Sequence, residues 1–258
     1  METLFDIRGK AVLITGGVHG LGRMIAEGML RAGAKVYVTS RKADAAQIAE
    51  KELRELGDCV AIAADLATPA AAVALANDIK SRETRLHALI NNAGKTWGAP
   101  LEQFPDKAWD PVFAVNVQGP FTLVRELLPL LEAAGSQEDP ARVINIGSLA
   151  GSVVERIGAF SYSASKAAIH HLSRVLAAEV AGRHITVNVV VPGYFPTQMT
   201  AHIRKDDADA NKLIARIPLA RLGHEDDIAG LCIFLCSRAG RYVTGSELYV
   251  DGGMSGCR

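Results

Sequence analysis

Tyr162 and Lys166 stand four positions apart, the spacing that sets two side chains on one face of a helix. A free phenol has a pKa of about 10, too high to trade protons at neutral pH. An ammonium beside it, joined by a cationic ring on a bound ligand, favours phenolate. A drop of roughly three units corresponds to about 4 kcal/mol, within reach of two close charges in a partly dry site. The pair fits a general acid or base with Tyr162 carrying the proton. It fits equally a helix-start tyrosine beside an unrelated lysine.

A second segment, Thr15-Gly16-Gly17-Val18-His19-Gly20-Leu21-Gly22, has the composition of a pyrophosphate cradle. Such a site needs a strand, a turn free of side chains, and a helix whose first amides face the phosphates. Gly16 permits the tight turn, Gly20 lets backbone approach phosphate, and Gly22 lets the helix pack close. Val18, His19 and Leu21 share the turn and are expected along the ligand, with His19 near the adenosine phosphate. At the end of the next strand an acid would take a ribose 2′-hydroxyl, but Ser40-Arg41-Lys42 stands there, and a guanidinium can neutralise a 2′-phosphate. NADP(H) is the expected cofactor. The alternative is that Arg41 and Lys42 only begin a solvated helix, where basic residues are unusual.

Two more residues bear on the chemistry. Ser148 follows the strand Arg142 to Ile146, at the edge where open α/β sheets bind ligands, and its hydroxyl can hydrogen-bond a carbonyl. Asn116 lies in a helical pattern although asparagine forms helices poorly; it holds a water relaying protons to Lys166, or it is a surface polar residue. Ile146-Gly147-Ser148-Leu149-Ala150 lacks the second glycine of a nucleophile elbow. The seven histidines form no ligand-spaced cluster, and no metal site is expected.

These residues must be positioned by a frame. β-Branched runs alternate with helical patterns, the signature of a parallel sheet covered on both faces. Strands are predicted at Ala11 to Thr15, Lys35 to Thr39, Val60 to Ala64, Ala88 to Ile90, Arg142 to Ile146, Thr186 to Val191 and Glu247 to Val250. Helices are predicted at Leu21 to Ala32, Ala43 to Leu56, Pro69 to Arg82, Asp106 to Ala134, Tyr162 to Ala181 and Glu225 to Cys236. The fold class is α/β, a single Rossmann-type doubly wound parallel sheet in one domain over 1–258, a length that suits one large domain. Tyr194 to Ile217 breaks the rhythm: Met199, Ile203, Leu213 and Ile214 alternate helically with the charged Arg204-Lys205-Asp206-Asp207, as in a lid.

Basic and acidic residues balance at 28 each, so no nucleic acid or anionic membrane is an expected partner. The apolar runs are too short to span a bilayer and no export signal opens the chain, so a soluble cytoplasmic protein is expected. The four cysteines, Cys59, Cys232, Cys236 and Cys257, carry no CxxC pattern and read as buried free thiols.

Over essentially its whole length the chain resembles the short-chain dehydrogenase/reductase family. The matching residues are the glycine turn, Asp65-Leu66, Asn91-Asn92-Ala93-Gly94, Asn116, Ser148, Tyr162 with Lys166, Pro192-Gly193 followed by Thr197, and Asp251-Gly252-Gly253. The resemblance implies a catalytic tetrad of Asn116, Ser148, Tyr162 and Lys166. It implies that Asp65 and Leu66 contact adenine, that Asn92 and Gly94 line the ribose side with Tyr162 and Lys166, and that Thr197 and the backbone near Phe195 hold the carboxamide. Within the family the chain is most similar to β-ketoacyl reductases, including the branch tied to rhamnolipid precursors, through Trp97 and the run Tyr194 to Thr200. Carrier-protein-dependent members present basic residues near the active-site entrance. Arg183 occupies one such position, whereas the other region carries Glu138 and Asp139, which leaves a free ketone or a coenzyme A ester open.

The resemblance also implies a homo-oligomer, a tetramer or dimer, pairing through stripes such as Ile169, Leu172, Leu176 and Val180, or Leu123, Leu127, Leu130 and Leu131. Taken alone, those stripes read as core. The expected activity is reduction of a ketone to a secondary alcohol by hydride transfer, with Tyr162 as acid. Trp97, Val153, Val154, Phe160, Tyr194, Met199 and Ile203 suggest an apolar pocket for an oxo-acyl or hydrophobic carbonyl substrate. The rivals are oxidation of a polyol or sugar acid, and a cofactor-sensing protein without turnover.

Overall fold

Seven aliphatic runs become strands because neighbours cover both of their faces. They are β1 (Ala11–Ile14), β2 (Lys35–Ser40), β3 (Cys59–Ala63), β4 (Ala88–Asn91), β5 (Ala141–Ile146), β6 (Ile185–Pro192) and β7 (Glu247–Val250). All pair in parallel, in the order β3-β2-β1-β4-β5-β6-β7. Each lies within one residue of its sequence-predicted ends. The computed structural model describes residues 4–197 and 207–257. Of the expected lid, Met199, Ile203 and Arg204-Lys205-Asp206 lie outside the described residues.

One face of the sheet is covered by α1 (Gly20–Arg31), α2 (Ala43–Leu53) and α8 (Glu225–Cys236), which share a core with Val12, Ile14, Val36 and Val38. The other is covered by α3 (Pro69–Arg82), α5 (Gly119–Ala134) and α6 (Phe160–Val180), packed on Leu13, Leu89, Val143 and Val187. The chain crosses from β3 at one edge to β4 beside β1. That reversal opens a crevice at the carboxyl ends of β1 and β4, the place where doubly wound sheets take ligands.

Three expectations are corrected. The helix predicted over Asp106 to Ala134 is broken into a 3-10 turn at Asp106–Ala108, α4 (Trp109–Phe113), a π-turn at Ala114–Gln118, and α5. Pro120, at the start of α5, has no N–H to return to the Asn116 carbonyl, so a regular α-helical ladder cannot run through this point. α2 ends at Leu53 rather than Leu56 because Glu55 and Leu56 donate to Glu52 and Leu53, tightening its last turn. Cys59, Cys232 and Cys236 are buried free thiols, but Cys257 is exposed.

The two stripes offered for subunit pairing are spent inside the chain. Ile169, Leu176, Val180, Leu123, Leu127 and Leu131 are all buried within it. Phe121 on α5 and Val175 on α6 face outward instead. α7 (Asp207–Ala215) buries Leu213, and Ile217 just beyond it joins a small core with Leu149, Val189, Val191 and Met254.

Candidate active site

The glycine turn leaves β1 with Gly16 at φ 64° and re-enters α1 with Gly20 at φ 57°, conformations that suit residues without a Cβ. Gly22 has a different reason: a Cβ there would lie 2.3 Å from Asn92 Nδ2 and 2.4 Å from the Gly16 carbonyl. Three side chains brace the turn from below. Thr15 Oγ1 accepts the Asn92 and Ala93 amides at 3.0 and 2.9 Å, and Thr39 Oγ1 accepts the Gly16 amide at 3.0 Å. Asn92 Nδ2 donates to the Thr15 and Gly16 carbonyls at 2.9 and 3.1 Å. Asn92 is thus a clamp on the turn through its Nδ2.

Around this turn stand the other residues expected to meet a dinucleotide. Val18 is buried in the core and His19 is exposed at the N-cap of α1, with no side-chain cap bond. Leu21 packs partly against the same core. Ser40 is buried at the end of β2, its Oγ accepting the Lys42 amide at 3.2 Å, and Arg41 beside it is exposed with no ion-pair partner among the described residues. Asp65 follows β3 and accepts the Ala67 amide; Leu66 is buried beside Gly119. Phe195 is buried against Gly223, and Thr197 lies across from Gly20, its Cγ2 3.6 Å from where a Cβ would stand. Among the described residues only Thr197 comes within 4 Å of a Cβ placed on Gly20, so backbone is presented there, as a phosphate cradle requires.

The four residues of the expected tetrad come together beside that turn. α6 starts at Phe160, which sets Tyr162 in its first turn and Lys166 one turn on. Lys166 Nζ donates to the Ile146 carbonyl at 2.7 Å and sits 5.7 Å from the centroid of the Tyr162 ring. Ser148 follows β5; its Oγ accepts the Ala150 amide at 3.2 Å and is close enough to the Tyr162 phenol to lower its pKa. Asn116, in the π-turn, is fully engaged. Its Oδ1 accepts the Lys95 amide at 2.8 Å, and its Nδ2 donates to the Lys95 carbonyl and to Ser165 Oγ at 2.9 Å each. The side chain therefore ties the π-turn to the loop after Gly94 and to Ser165 of α6.

The chain's own groups shift both partners, chiefly by burial. Burial raises the Tyr162 phenol above its ordinary value, the Ser148 hydroxyl pulls it back, and the Glu155 carboxylate raises it further. Lys166 is itself lowered by burial to about 8. With the chain's own atoms alone, Tyr162 is a stored proton rather than a phenolate. The ammonium is turned to a backbone carbonyl, so it does not offset the desolvation of the phenol.

Several supporting contacts carried no sequence signal. Asn91 Nδ2 donates to Asn145 Oδ1, and Asn145 Nδ2 donates to Ser173 Oγ, a buried chain joining β4, β5 and α6. Thr15, Thr39, Ser165, His170 and Glu247 act across elements that no local pattern links. The rim residues read as flanking the entrance are displaced. Asp139 precedes β5 and Ser148 follows it, so six residues of strand, about 20 Å, separate them. Asp139 is bound to Lys10 and Arg142, and Arg183, before β6, is paired with Glu132. Of the apolar pocket, Val153 packs inward on Leu149 and Val191, while Val154 is 90 % exposed. The Tyr194 hydroxyl donates to Glu155 at 2.8 Å.

A doubly wound sheet, a bare glycine turn and a tyrosine one helical turn before a buried lysine define a class of nicotinamide-linked oxidoreductases, and the chain belongs to the short-chain dehydrogenase/reductase family. The family described as Enoyl-(Acyl carrier protein) reductase matches residues 16–255. The rhamnolipids biosynthesis 3-oxoacyl-[acyl-carrier-protein] reductase of Pseudomonas aeruginosa is 46 % identical over 253 residues, covering 98 % of this chain and 99 % of that protein. The solved Pseudomonas aeruginosa RhlG/NADP active-site complex superposes with a TM-score of 0.95 at 45 % identity, covering 98 % of this chain and 99 % of the other. A 5-keto-D-gluconate 5-reductase of Escherichia coli is 33 % identical, with 98 % of each chain covered.

Proposed function

We propose that the protein is an NADP(H)-dependent oxidoreductase that reduces the ketone of an oxo-acyl or other hydrophobic carbonyl compound to a secondary alcohol. The observation that carries this reading is the convergence of Ser148, Tyr162 and Lys166 at the carboxyl rim, beside an uncovered glycine turn. The likeness to a 3-oxoacyl reductase and to an NADP complex supports it. The bound dinucleotide would supply the hydride.

The chain's own residues would do the rest. Gly16 to Gly22 would hold the pyrophosphate, and Ser40 and Arg41 the 2′-phosphate. Ser148 would donate its hydroxyl hydrogen bond to the substrate carbonyl, and Tyr162 would deliver its proton to that oxygen. A phenol kept protonated by burial suits the reducing direction, in which the group must begin as an acid. Lys166, still mostly ammonium at neutral pH with a value near 8, would hold the ribose and compensate the phenolate left behind.

An aromatic rim supports an apolar substrate. Phe104 meets Phe160 and Trp109 edge-on, with ring centroids 5.2 and 6.2 Å away, and Trp97 and Ile157 are exposed nearby. The Ala99 amide donates to the Gly158 carbonyl at 3.0 Å, tying the Trp97 loop to the one before α6. The chain would act as one catalytic domain, with the 194–217 segment beside the site. Outward Phe121, Val175 and, on the edge strand β7, Tyr249 support a homo-oligomer. A monomeric elution volume would remove that part.

The deciding experiment is an initial-rate panel of ketones, oxo-acyl thioesters and alcohols with both nicotinamides, run on the wild type and Tyr162→Phe. NADPH-driven thioester or ketone reduction, lost in the variant, is expected. Faster oxidation of polyols with NAD would favour a sugar-acid dehydrogenase, and tight NADPH binding with no turnover of any compound would favour a sensor.

A further inference from the structure

Where β5 gives way to Gly147 and Ser148, the imidazole of His170 is packed against the bend. His170 is buried on α6, one turn beyond Lys166. Its Nε2 accepts the Ser148 backbone N–H at 3.3 Å. Its Nδ1 lies 3.1 Å from Ser152 Oγ and 3.2 Å from Glu247 Oε2, and Ser152 Oγ donates to the same carboxylate oxygen at 3.2 Å. An accepting Nε2 places the ring proton on Nδ1, between a hydroxyl and a carboxylate. Gly147 belongs to the arrangement: a Cβ there would come within 2.2 Å of His170 Nε2 and 2.8 Å of Val189 Cγ1.

We propose that His170, oriented by Glu247, is a positioning residue for Ser148: the neutral imidazole holds the Ser148 amide and thereby aims the hydroxyl that receives the substrate carbonyl. This rests on the reductase reading above.

The charged groups facing the ring are Lys166 and Arg174 from its own helix and Glu247 from β7. Glu247 in turn accepts Arg174 Nη1 at 3.1 Å and the Tyr249 hydroxyl at 3.0 Å. Burial foremost, aided by Lys166 and Arg174, lowers the imidazole below its ordinary value, while Glu247 pulls it upward. At neutral pH the ring is therefore the neutral acceptor. Protonation turns Nε2 into a donor facing the donor on Ser148, and the amide loses its partner. Turnover should then show an acid limb below the ordinary imidazole value of about 6.5, set by His170.

The test measures kcat and KM against pH between about 5 and 8 with NADPH and an oxo-acyl thioester, together with NADPH binding by fluorescence. His170→Leu is expected to lower kcat roughly tenfold, or ~1.4 kcal/mol, to leave NADPH binding unchanged and to abolish the acid limb. His170→Gln, whose side-chain carbonyl can accept the Ser148 amide and does not titrate, should recover most of kcat without the limb. Glu247→Gln should move the limb to lower pH, because the imidazolium loses its counter-charge. Should His170→Leu fail to fold, the Glu247→Gln shift decides alone. The proposal is overturned by a kcat in His170→Leu within twofold of wild type, by a limb unchanged in His170→Gln or Glu247→Gln, or by no limb in the wild type. Tyr162→Phe in the same series separates the two levels. If it keeps turnover, the reductase reading fails; if it is silent while the His170 and Glu247 variants match wild type, only this proposal fails.

Discussion

The two rims of the sheet each bury a lysine and treat it in opposite ways. At the amino rim Lys10 and Arg142, 9 % and 1 % exposed, share Asp139: Lys10 Nζ reaches it at 2.7 Å and Arg142 Nη1 at 2.5 Å. Their other donors go to the Cys236, Leu235 and Ser237 carbonyls at the end of α8, where the helix dipole welcomes cations. At the carboxyl rim Lys166, 5 % exposed, makes one hydrogen bond, to Ile146, and meets no carboxylate among the described residues. A buried cation with a counter-charge and filled donors ties elements together. One with unspent N–H groups costs stability and is kept for something else.

The strongest way to break this contrast is through activity at the carboxyl rim. Tyr162→Phe and Lys166→Met should each lower kcat/KM by about 10²–10⁴-fold, the range for a lost general acid or its partner, with no loss of thermal stability. A residual rate within tenfold of wild type in either variant would erase the distinction between the rims.

Arg142→Met tests the other rim. It leaves Lys10 paired with Asp139 but takes the buried donor away from the Leu235 and Ser237 carbonyls at the end of α8, so unfolding free energy in urea should fall by about 1–3 kcal/mol. The kcat of the protein that remains folded should be near normal, because the cluster is a strand's length from Tyr162. A stable Arg142→Met, or a folded but inactive one, would show that the amino rim is not merely structural.

Lys166 also sharpens the comparison through pH. Its folded value of about 8 lies below the ordinary 10.5, so the unfolded chain binds more protons between those limits and this residue's contribution to stability rises with pH across that window. Below pH 8 the burial penalty is felt in full, up to about 3 kcal/mol. In cofactor-free protein Lys166→Met should therefore be more stable than wild type at pH 7, and the two should converge toward pH 10.5. Taking the difference matters, because buried Cys59 and Cys236, raised to about 12 and 11, lose stability over the same range in both proteins. A difference that stays flat with pH would mean that Lys166 is not the buried charge it looks to be.

This contrast explains what could be read from the residues alone. The strands were legible because a parallel sheet covered on both faces needs continuous apolar runs, and Tyr162 and Lys166 because helical spacing is local. Illegible were the partners that the fold supplies. Nothing near Asp139 announces that Lys10, from far along the chain, will join Arg142 in neutralising it, so it reads as a surface acid. The π-turn at Ala114–Gln118 has no period of its own and hides within a long helical pattern. Nor does any motif reach from Ser148 through His170 to Glu247, since the link exists only once β7 lies beside β6.

A third cation closes the series with the smallest effect. Arg41 is exposed, unpaired among the described residues, and set at the carboxyl end of β2 next to buried Ser40. By the rule drawn from the two lysines, a cation without a carboxylate partner at this rim serves a ligand, and for an exposed side chain it does so without cost to the fold. Arg41→Ala should leave unfolding within about 0.5 kcal/mol of wild type. It should weaken NADPH relative to NADH by about tenfold, the ~1.4 kcal/mol expected of one partly solvated contact to a phosphate, and the discrimination should shrink as salt is raised. Equal losses for both cofactors would mean that Arg41 touches the part of the nucleotide they share. No loss for either would return it to the solvated start of α2.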